Sequence, residues 1–376
     1  MRNMKKILII VPYRFLPASS GGHRYIEGWI NALANVAKVT VIGTEDNQVV
    51  PNAPYRLLPV LSTSIFRYAD YTLKGTIKEL IARNQYDFLI WEHPYYAWLA
   101  HLIKKETGIP FLLHTHNIEH QRFQSLGKWW WPLLKAYENW AFEGADRISF
   151  ITSQDKEFAV EKWAIEKAHC LEIPYGVTQQ GHPKDREEAK AIICERHQIE
   201  KNTFLILFNG PLNYQPNREA LEVIISKIEP QLRKKLMNYR IIICGGDIPK
   251  RWKFRSEVER SPYINAGFVN DIEQYIKAAQ VLINPIQKGG GVKTKSIEAI
   301  AVGTPVVTTT HGAIGIDATT TGTMLQVASA ENWIDFAEKI YAISTQNENQ
   351  FQTPTSFYDH YNWNQIIERT IDLLPN

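Results

Sequence analysis

At 376 residues, 44% of them hydrophobic, the chain is long for one domain and can bury two cores. Its net charge of +3 is too mild to argue for a nucleic-acid partner. The three cysteines, Cys170, Cys194 and Cys244, sit in apolar segments without a CxxC or Cys/His cluster, which disfavours disulfides and zinc and fits a reducing cytoplasm.

The N-terminal MRNMKKILIIVPYRF places basic residues before a short apolar run that passes into a polar loop. It therefore reads as a β-strand, Lys5 to Tyr13, and not as a signal peptide. No segment approaches the ~20 apolar residues of a spanning helix. A loop with Pro17, Ser19, Ser20, Gly21 and Gly22 leads into a helix from His23 to Asn35, whose first turn carries Arg24, either a functional cation or a surface charge. A second strand, Val39 to Gly43, and a helical stretch, Ile65 to Asn84, follow. Strands from Asp87 to Trp91 and from Pro110 to Asn117 end in Glu92-His93 and in His114-Thr115-His116-Asn117. Ligands of open parallel sheets gather outside the carboxyl ends of strands, so both ends point toward a cleft. A lone histidine is more often a satisfied core residue; three at one strand end, His114, His116 and His120, favour a functional role for one of them, and His116 is the choice.

The run Gly127-Lys128-Trp129-Trp130-Trp131-Pro132 either dips into a bilayer interface, where indoles prefer to lie, or packs its rings against the domain at a helix start. A strand from Asp146 to Thr152, a helix from Asp155 to Trp163 and the segment Cys170 to Val177 close a first domain, 1–177. The polar stretch Thr178 to Asp185 and a helix from Glu187 to Ile199 form a linker region, 178–203. Strands then recur at Phe204 to Gly210, Arg240 to Cys244, Ile264 to Val269, Val281 to Asn284, Pro305 to Thr309 and Thr323 to Val327, so 204–355 is a second α/β domain. An amphipathic helix carrying Ile366, Ile367, Ile371 and Leu373 ends the chain within 356–376.

The densest pattern is NPIQKGGGVKTKSIEAIAVGTPVVTTTHGAIG, from Asn284 to Gly315. Gly289, Gly290 and Gly291 open a helix with Ile297, Ile300 and Ala301 at core spacing and Thr294, Lys295 and Glu298 on another face. Gly303 and Pro305 stop it. Close-approaching backbone amides and a helix N-terminus suit an anion, and Lys293 and Lys295 share that sign. The plainer reading is a strand–helix turn with Lys295 and Glu298 as a solvated pair.

The run KSIEAIAVGTPVVTT resembles the donor-site motif of retaining glycosyltransferases with the GT-B fold, similar to the bacterial group 1, or family 4, enzymes. The resemblance covers essentially the whole chain in matching order, with 289–309 its specific part. It implies an α/β fold of two Rossmann-like domains with an interdomain cleft, and a C-terminal helix that crosses back to the first domain. It assigns Glu298 to the nucleotide ribose, as the second glutamate of a Glu-x7-Glu pair whose first position is Gly290 here. It places Gly21, Gly22 and Arg24 near the donor phosphates, His116 beside the donor sugar, and Phe268 and Val269 at the base. After Gly210 the family sets an Arg, and a few residues later a Lys, on the diphosphate. This chain has Pro211 and Pro216-Asn217, so both cations are missing, and Lys295 is the expected replacement, ahead of Lys293.

The implied reaction transfers a sugar from a nucleotide diphosphate-sugar to a hydroxyl of a glycan, protein or lipid-linked acceptor, with retention, in cell-surface glycan synthesis. Catalysis is expected from His116 and Glu298, donor binding from Gly210, Gly290, Gly291, Lys293 and Lys295 as well. No Asp-x-Asp occurs, so no metal is expected on the diphosphate, and no cofactor is expected beyond the donor. The enzyme is expected in the cytoplasm, with Trp129, Trp130 and Trp131 as the candidate peripheral membrane contact. Two alternatives stand: a catalytically impaired binding subunit, favoured by Gly290, Pro211 and Pro216, and a nucleotide-sugar epimerase.

Overall fold

The structure, a computed structural model, describes residues 4–246, 261–347 and 350–375. It divides into two compact units, Met1–Thr178 together with Tyr361–Asn376, and Gln179–His360.

The first unit holds a parallel sheet of β1 (Lys6–Ile10), β2 (Lys38–Thr44), β3 (Arg56–Leu61), β4 (Phe88–Glu92), β5 (Phe111–His114), β6 (Arg147–Phe150) and β7 (Cys170–Glu172). Their order is β3-β2-β1-β4-β5-β6-β7. β1, β4 and β5 are apolar almost throughout because helices cover both faces of such a sheet. Those helices include α1 (Gly21–Ala34), α2 (Leu73–Asn84), α3 (Ala97–Thr107), α4 (Glu119–Ser125), α5 (Trp131–Glu143) and α6 (Ser153–Trp163). α1 starts where Ser20 accepts a hydrogen bond from the His23 amide, and it buries Tyr25, Ile26, Trp29, Ile30 and Leu33 along one stripe.

Two details depart from the sequence reading. The expected helix from Ile65 to Asn84 is broken into a 3-10 turn, Ile65–Ala69, and α2. Asp70 is the reason: its carboxylate accepts from the Thr72 amide at 2.9 Å and from the Thr72 hydroxyl at 2.6 Å, a local turn that outcompetes helix continuation. β3, which the sequence reading omits, is an edge strand containing Pro59.

The second unit repeats the plan with β8 (Phe204–Asn209), β9 (Tyr239–Cys244), β10 (Tyr263–Gly267), β11 (Val281–Asn284), β12 (Val306–Thr309) and β13 (Leu325–Ala328). Here the parallel order is β10-β9-β8-β11-β12-β13. Both sheets thus start in the middle, grow to one edge, and return to grow to the other, the Rossmann-like order. The reversal falls between β1 and β4 in one unit and between β8 and β11 in the other. Around the second sheet lie α7 (Arg186–Arg196), α8 (Gln215–Val223) and further helices.

The last helix, Trp363–Thr370, belongs with the first unit. The Val177 amide donates to Tyr361 O at 2.7 Å and the Trp363 amide to Val177 O at 3.0 Å. The indole of Trp363 packs against Gly28 and Gly176, where a Cβ would overlap the ring. Among the described residues, no helix is long and apolar enough to cross a membrane.

Candidate functional site

Polar side chains gather at the carboxyl ends of both sheets, next to each strand-order reversal, the place where open parallel sheets characteristically bind ligands. In the second unit the support is the helix Thr294–Ala301, pinned by fully buried Ile297, Ile300 and Ala301. Lys295 and Glu298 occupy its less buried side. Gly289, at φ 96°, lets the preceding loop turn against α8, since a Cβ there would stand 2.6 Å from Tyr214 Oη.

The two lysines of this motif do different things. Lys293 Nζ donates to the carbonyls of Gly289, Gly290 and Gly291 at 3.1, 3.3 and 2.7 Å, so it clasps the glycine loop. His311 Nε2 adds a fourth bond, to Gly289 O at 2.7 Å. Lys295 Nζ donates to Asn209 O at the end of β8 at 2.8 Å and lies 3.5 Å from Asn217 Oδ1 and 4.8 Å from the Phe208 ring centre. Asn217 is oriented by donating its amide to Pro211 O at 2.9 Å. Lys295 therefore reaches, from another element, the stretch where Pro211 and Pro216-Asn217 replace cations. Burial pulls Lys293 down to about 8. Burial, reinforced by the Lys293 charge, pulls Lys295 down to about 7, against the opposing pull of Glu298. Both shifts disfavour the charged ammonium, and a negative charge placed beside it would restore that form. Lys288, by contrast, is exposed and 3.7 Å from Glu219.

Two side-chain oxygens near this corner, Asn209 Oδ1 on β8 and Asn284 Oδ1 on β11, are buried and have no donor among the described residues. A ligand hydroxyl would satisfy either, and an orphaned buried acceptor costs ~1–3 kcal/mol otherwise. Gly210 follows β8, and after β10 comes Phe268, 74% exposed, then Val269.

In the first unit Glu92, His93, His114 and His116 are all buried at the ends of β4 and β5. Glu92 uses both oxygens: Oε1 lies 3.0 Å from His114 Nδ1, Oε2 2.7 Å from His116 Nε2. Tyr25 Oη on α1 lies 2.7 Å from His114 Nε2 and 2.7 Å from Ile173 O. The His114 and His116 imidazoles draw the Glu92 carboxylate far below its ordinary value despite burial. Burial and the neighbouring His93 push His116 down to about 3, so its ring is neutral. His93 has φ 64° and ψ 160°, a conformation almost confined to glycine, and such strain concentrates at functional sites. Its Nε2 lies 2.8 Å from Tyr13 Oη, and its ring centre is 4.1 Å from that of His116. One donor atom each from Glu92, His114 and His116 falls within 4.8 Å of the others, close enough to gather round a small cation. Both Glu92 oxygens are already engaged at hydrogen-bond length, so the three form a hydrogen-bonded set. Gly21, Gly22 and Arg24 form the first turn of α1.

His116, Glu298 and the two lysines were readable as candidates from motif and strand end. Tyr25 and Tyr13 were not, since neither belongs to a motif and each is placed by folding; Asn217 was noted only as part of the Pro216-Asn217 position that lacks a cation. In the tryptophan run, Trp129 is 82% exposed, whereas Trp130 packs on Phe123 and Trp131 on His120. Leu133 and Trp140 on α5 are exposed as well.

Residues 203–346 match the sequence profile of the glycosyl transferases group 1, and residues 19–180 match that of glycosyltransferase family 4. Together the two profiles span most of the chain. No curated protein matches it by sequence. Among solved structures, it is similar to a sucrose-phosphate synthase from Thermosynechococcus elongatus, with a TM-score of 0.74 and 16% identity over 98% of both chains. A glycosyltransferase from Rickettsia africae gives 0.70 and 16%, over 99% of this chain and 98% of that one. The Anabaena protein HepE, in complex with UDP-glucose, gives 0.67 and 14%, over 98% and 100%. These likenesses bear on the fold, the GT-B architecture.

Proposed function

Because the chain belongs to the group 1, family 4 glycosyltransferases, we propose that it moves a sugar from a nucleoside diphosphate donor to an acceptor hydroxyl with retained anomeric configuration. The observation that carries this reading is the corner of β8, the glycine loop and the Thr294–Ala301 helix, where Lys295 stands beside Asn209 and Asn217. Departure of a nucleoside diphosphate concentrates negative charge on the leaving oxygens, and a buried ammonium aimed at them stabilises it strongly. Glu298, one turn into the helix, would accept from the ribose hydroxyls, and Phe268 and Val269 would flank the base. A UDP-sugar is the donor class that the HepE complex illustrates. His116, with its neutral ring, is the residue we assign to the donor sugar, and Gly21, Gly22 and Arg24 are those we assign to its phosphates. Trp129, with Leu133, would rest on a membrane surface and bring a lipid-linked acceptor of a cell-surface glycan within reach.

The reading as an impaired binding subunit draws on Pro211, Pro216 and Gly290, and the position of Lys295 speaks against it. The test of retention is the anomer first released when the enzyme turns over a sugar nucleotide, followed by proton NMR before mutarotation. A product with the donor's configuration supports the reaction as proposed, and an inverted one refutes it.

A further inference from the structure

The hydrogen bonds around His114 leave little freedom for its protons. Tyr25 has one hydroxyl proton, and Ile173 O, 2.7 Å away, is a carbonyl that only accepts. The proton therefore goes to Ile173 O. Burial, with the Glu92 charge, lifts Tyr25 far above its ordinary value, so the hydroxyl keeps that proton. His114 Nε2, 2.7 Å from the same oxygen, must then donate to it. At the other side of the ring, His114 Nδ1 meets Glu92 Oε1 at 3.0 Å, and one proton lies between them. An imidazole is about two pKa units more basic than a carboxylate in water. The second bond that Glu92 receives, from His116 at 2.7 Å, stabilises the carboxylate further. The proton belongs on His114, which makes it an imidazolium buried against Glu92.

This arrangement fixes the next residue in the chain of bonds. Glu92 Oε2, part of an ionised carboxylate, accepts from His116, so His116 carries its proton on Nε2. His116 Nδ1 is then a bare acceptor, and it has no hydrogen-bond partner among the described residues. We propose that Glu92 and doubly protonated His114 are positioning residues that hold His116 as the neutral Nε2–H tautomer, presenting Nδ1 as an acceptor to a hydroxyl of the donor sugar. The proposal rests on the transferase reading above. Its chemical sense lies in the charge that develops on the sugar ring as the diphosphate leaves. A neutral acceptor tolerates that positive charge, whereas an imidazolium facing it would repel it. The groups facing His114 and His116 are Tyr25 from α1, Glu92 from β4 and His93 beyond it, with Glu92 the one carboxylate among them. Tyr13 and Glu119 stand behind His93.

Nitrogen NMR of the intact protein labelled in its histidine rings tests this, with His114→Asn and His116→Asn used for assignment. At pH 8 the expected spectrum includes an imidazole protonated on both nitrogens, lost in His114→Asn, and, among the imidazoles with Nε2–H alone, a signal lost in His116→Asn. Glu92→Gln should abolish the doubly protonated signature and lower kcat roughly ten- to a hundredfold, with nucleoside diphosphate Kd changed less than about twofold. The wild-type spectrum decides the proton arrangement even if Glu92→Gln fails to fold. A neutral His114, an Nδ1–H tautomer of His116, or a stoichiometric metal ion in freshly purified protein would overturn the proposal. Turnover without the predicted spectrum removes the positioning role alone. The predicted spectrum in a protein that turns over no sugar nucleotide removes the reading on which that role rests.

Discussion

At the carboxyl end of β8 an ammonium arrives from the Thr294–Ala301 helix, and Lys295 Nζ rests on Asn209 O while facing Asn217 Oδ1. On the proposed function, that placement would give the diphosphate a cation in a chain that has proline where cations are expected. Lys295→Ala should weaken nucleoside diphosphate binding by roughly ten- to a hundredfold and leave the bare nucleoside almost unaffected, as calorimetric titration of both ligands will show. Equal losses for the two ligands would count against it. The lowered value of Lys295, about 7, adds a pH dependence whose sign is definite. Above pH 7 the free protein holds Lys295 largely neutral, and a bound anion favours its charged form. Binding therefore takes up a proton, and affinity falls as pH rises through 7 to 9. Titrations at pH 8 in buffers of different ionisation enthalpy should reveal that uptake, and Lys295→Ala should remove it. If Glu298 serves the ribose as proposed, Glu298→Ala should cost about ten- to a hundredfold in affinity for nucleoside and nucleoside diphosphate alike. His116→Ala should lower kcat and spare nucleotide affinity.

At the scale of elements, the glycine loop and the tryptophan helix carry separate expectations. Gly289→Ala sets a Cβ at φ 96° against Tyr214, and should cost about 1–3 kcal/mol of stability in denaturant unfolding. Just before α5 and in its first turn, the exposed Trp129 and Leu133 predict that the protein floats with anionic vesicles and that a Trp129→Ala, Leu133→Ala double variant does not. Native protein that stays in solution would leave α5 a purely structural helix. Parallel strands buried on both faces are continuous apolar runs, which is why β1, β4, β5, β8, β11 and β12 were legible from sequence. β3 was not, because an edge strand with Pro59 and a half-exposed face loses that signal. The break at Asp70 was hidden because α2 resumes the helical period only three residues later. The glycine loop suggested an anion, but no pattern told that Lys293 bonds the loop's own carbonyls while Lys295 reaches Asn209 O at the end of β8. The His114–Tyr25 bond joins residues 89 positions apart, beyond any local pattern.

For the whole molecule, two Rossmann-like sheets and a chain end that returns to the first unit form the scaffold. Trp363 seals that return, wedged on Gly28 and Gly176 with only 6% of its surface exposed. Trp363→Ala should destabilise the first unit by about 3–5 kcal/mol in chemical unfolding. A loss below 1 kcal/mol would mean that the C-terminal helix contributes little to that core. The central claim concerns the reaction itself, and a single panel addresses it. Purified protein is incubated with sugar nucleotides that differ in base and sugar, and chromatography follows both the nucleotide and the sugar. The account predicts slow release of nucleoside diphosphate from at least one donor, faster when an acceptor glycan or lipid-linked sugar is supplied, with the sugar's ring stereochemistry unchanged. An epimerised sugar nucleotide, or no release from any donor that binds, would contradict it.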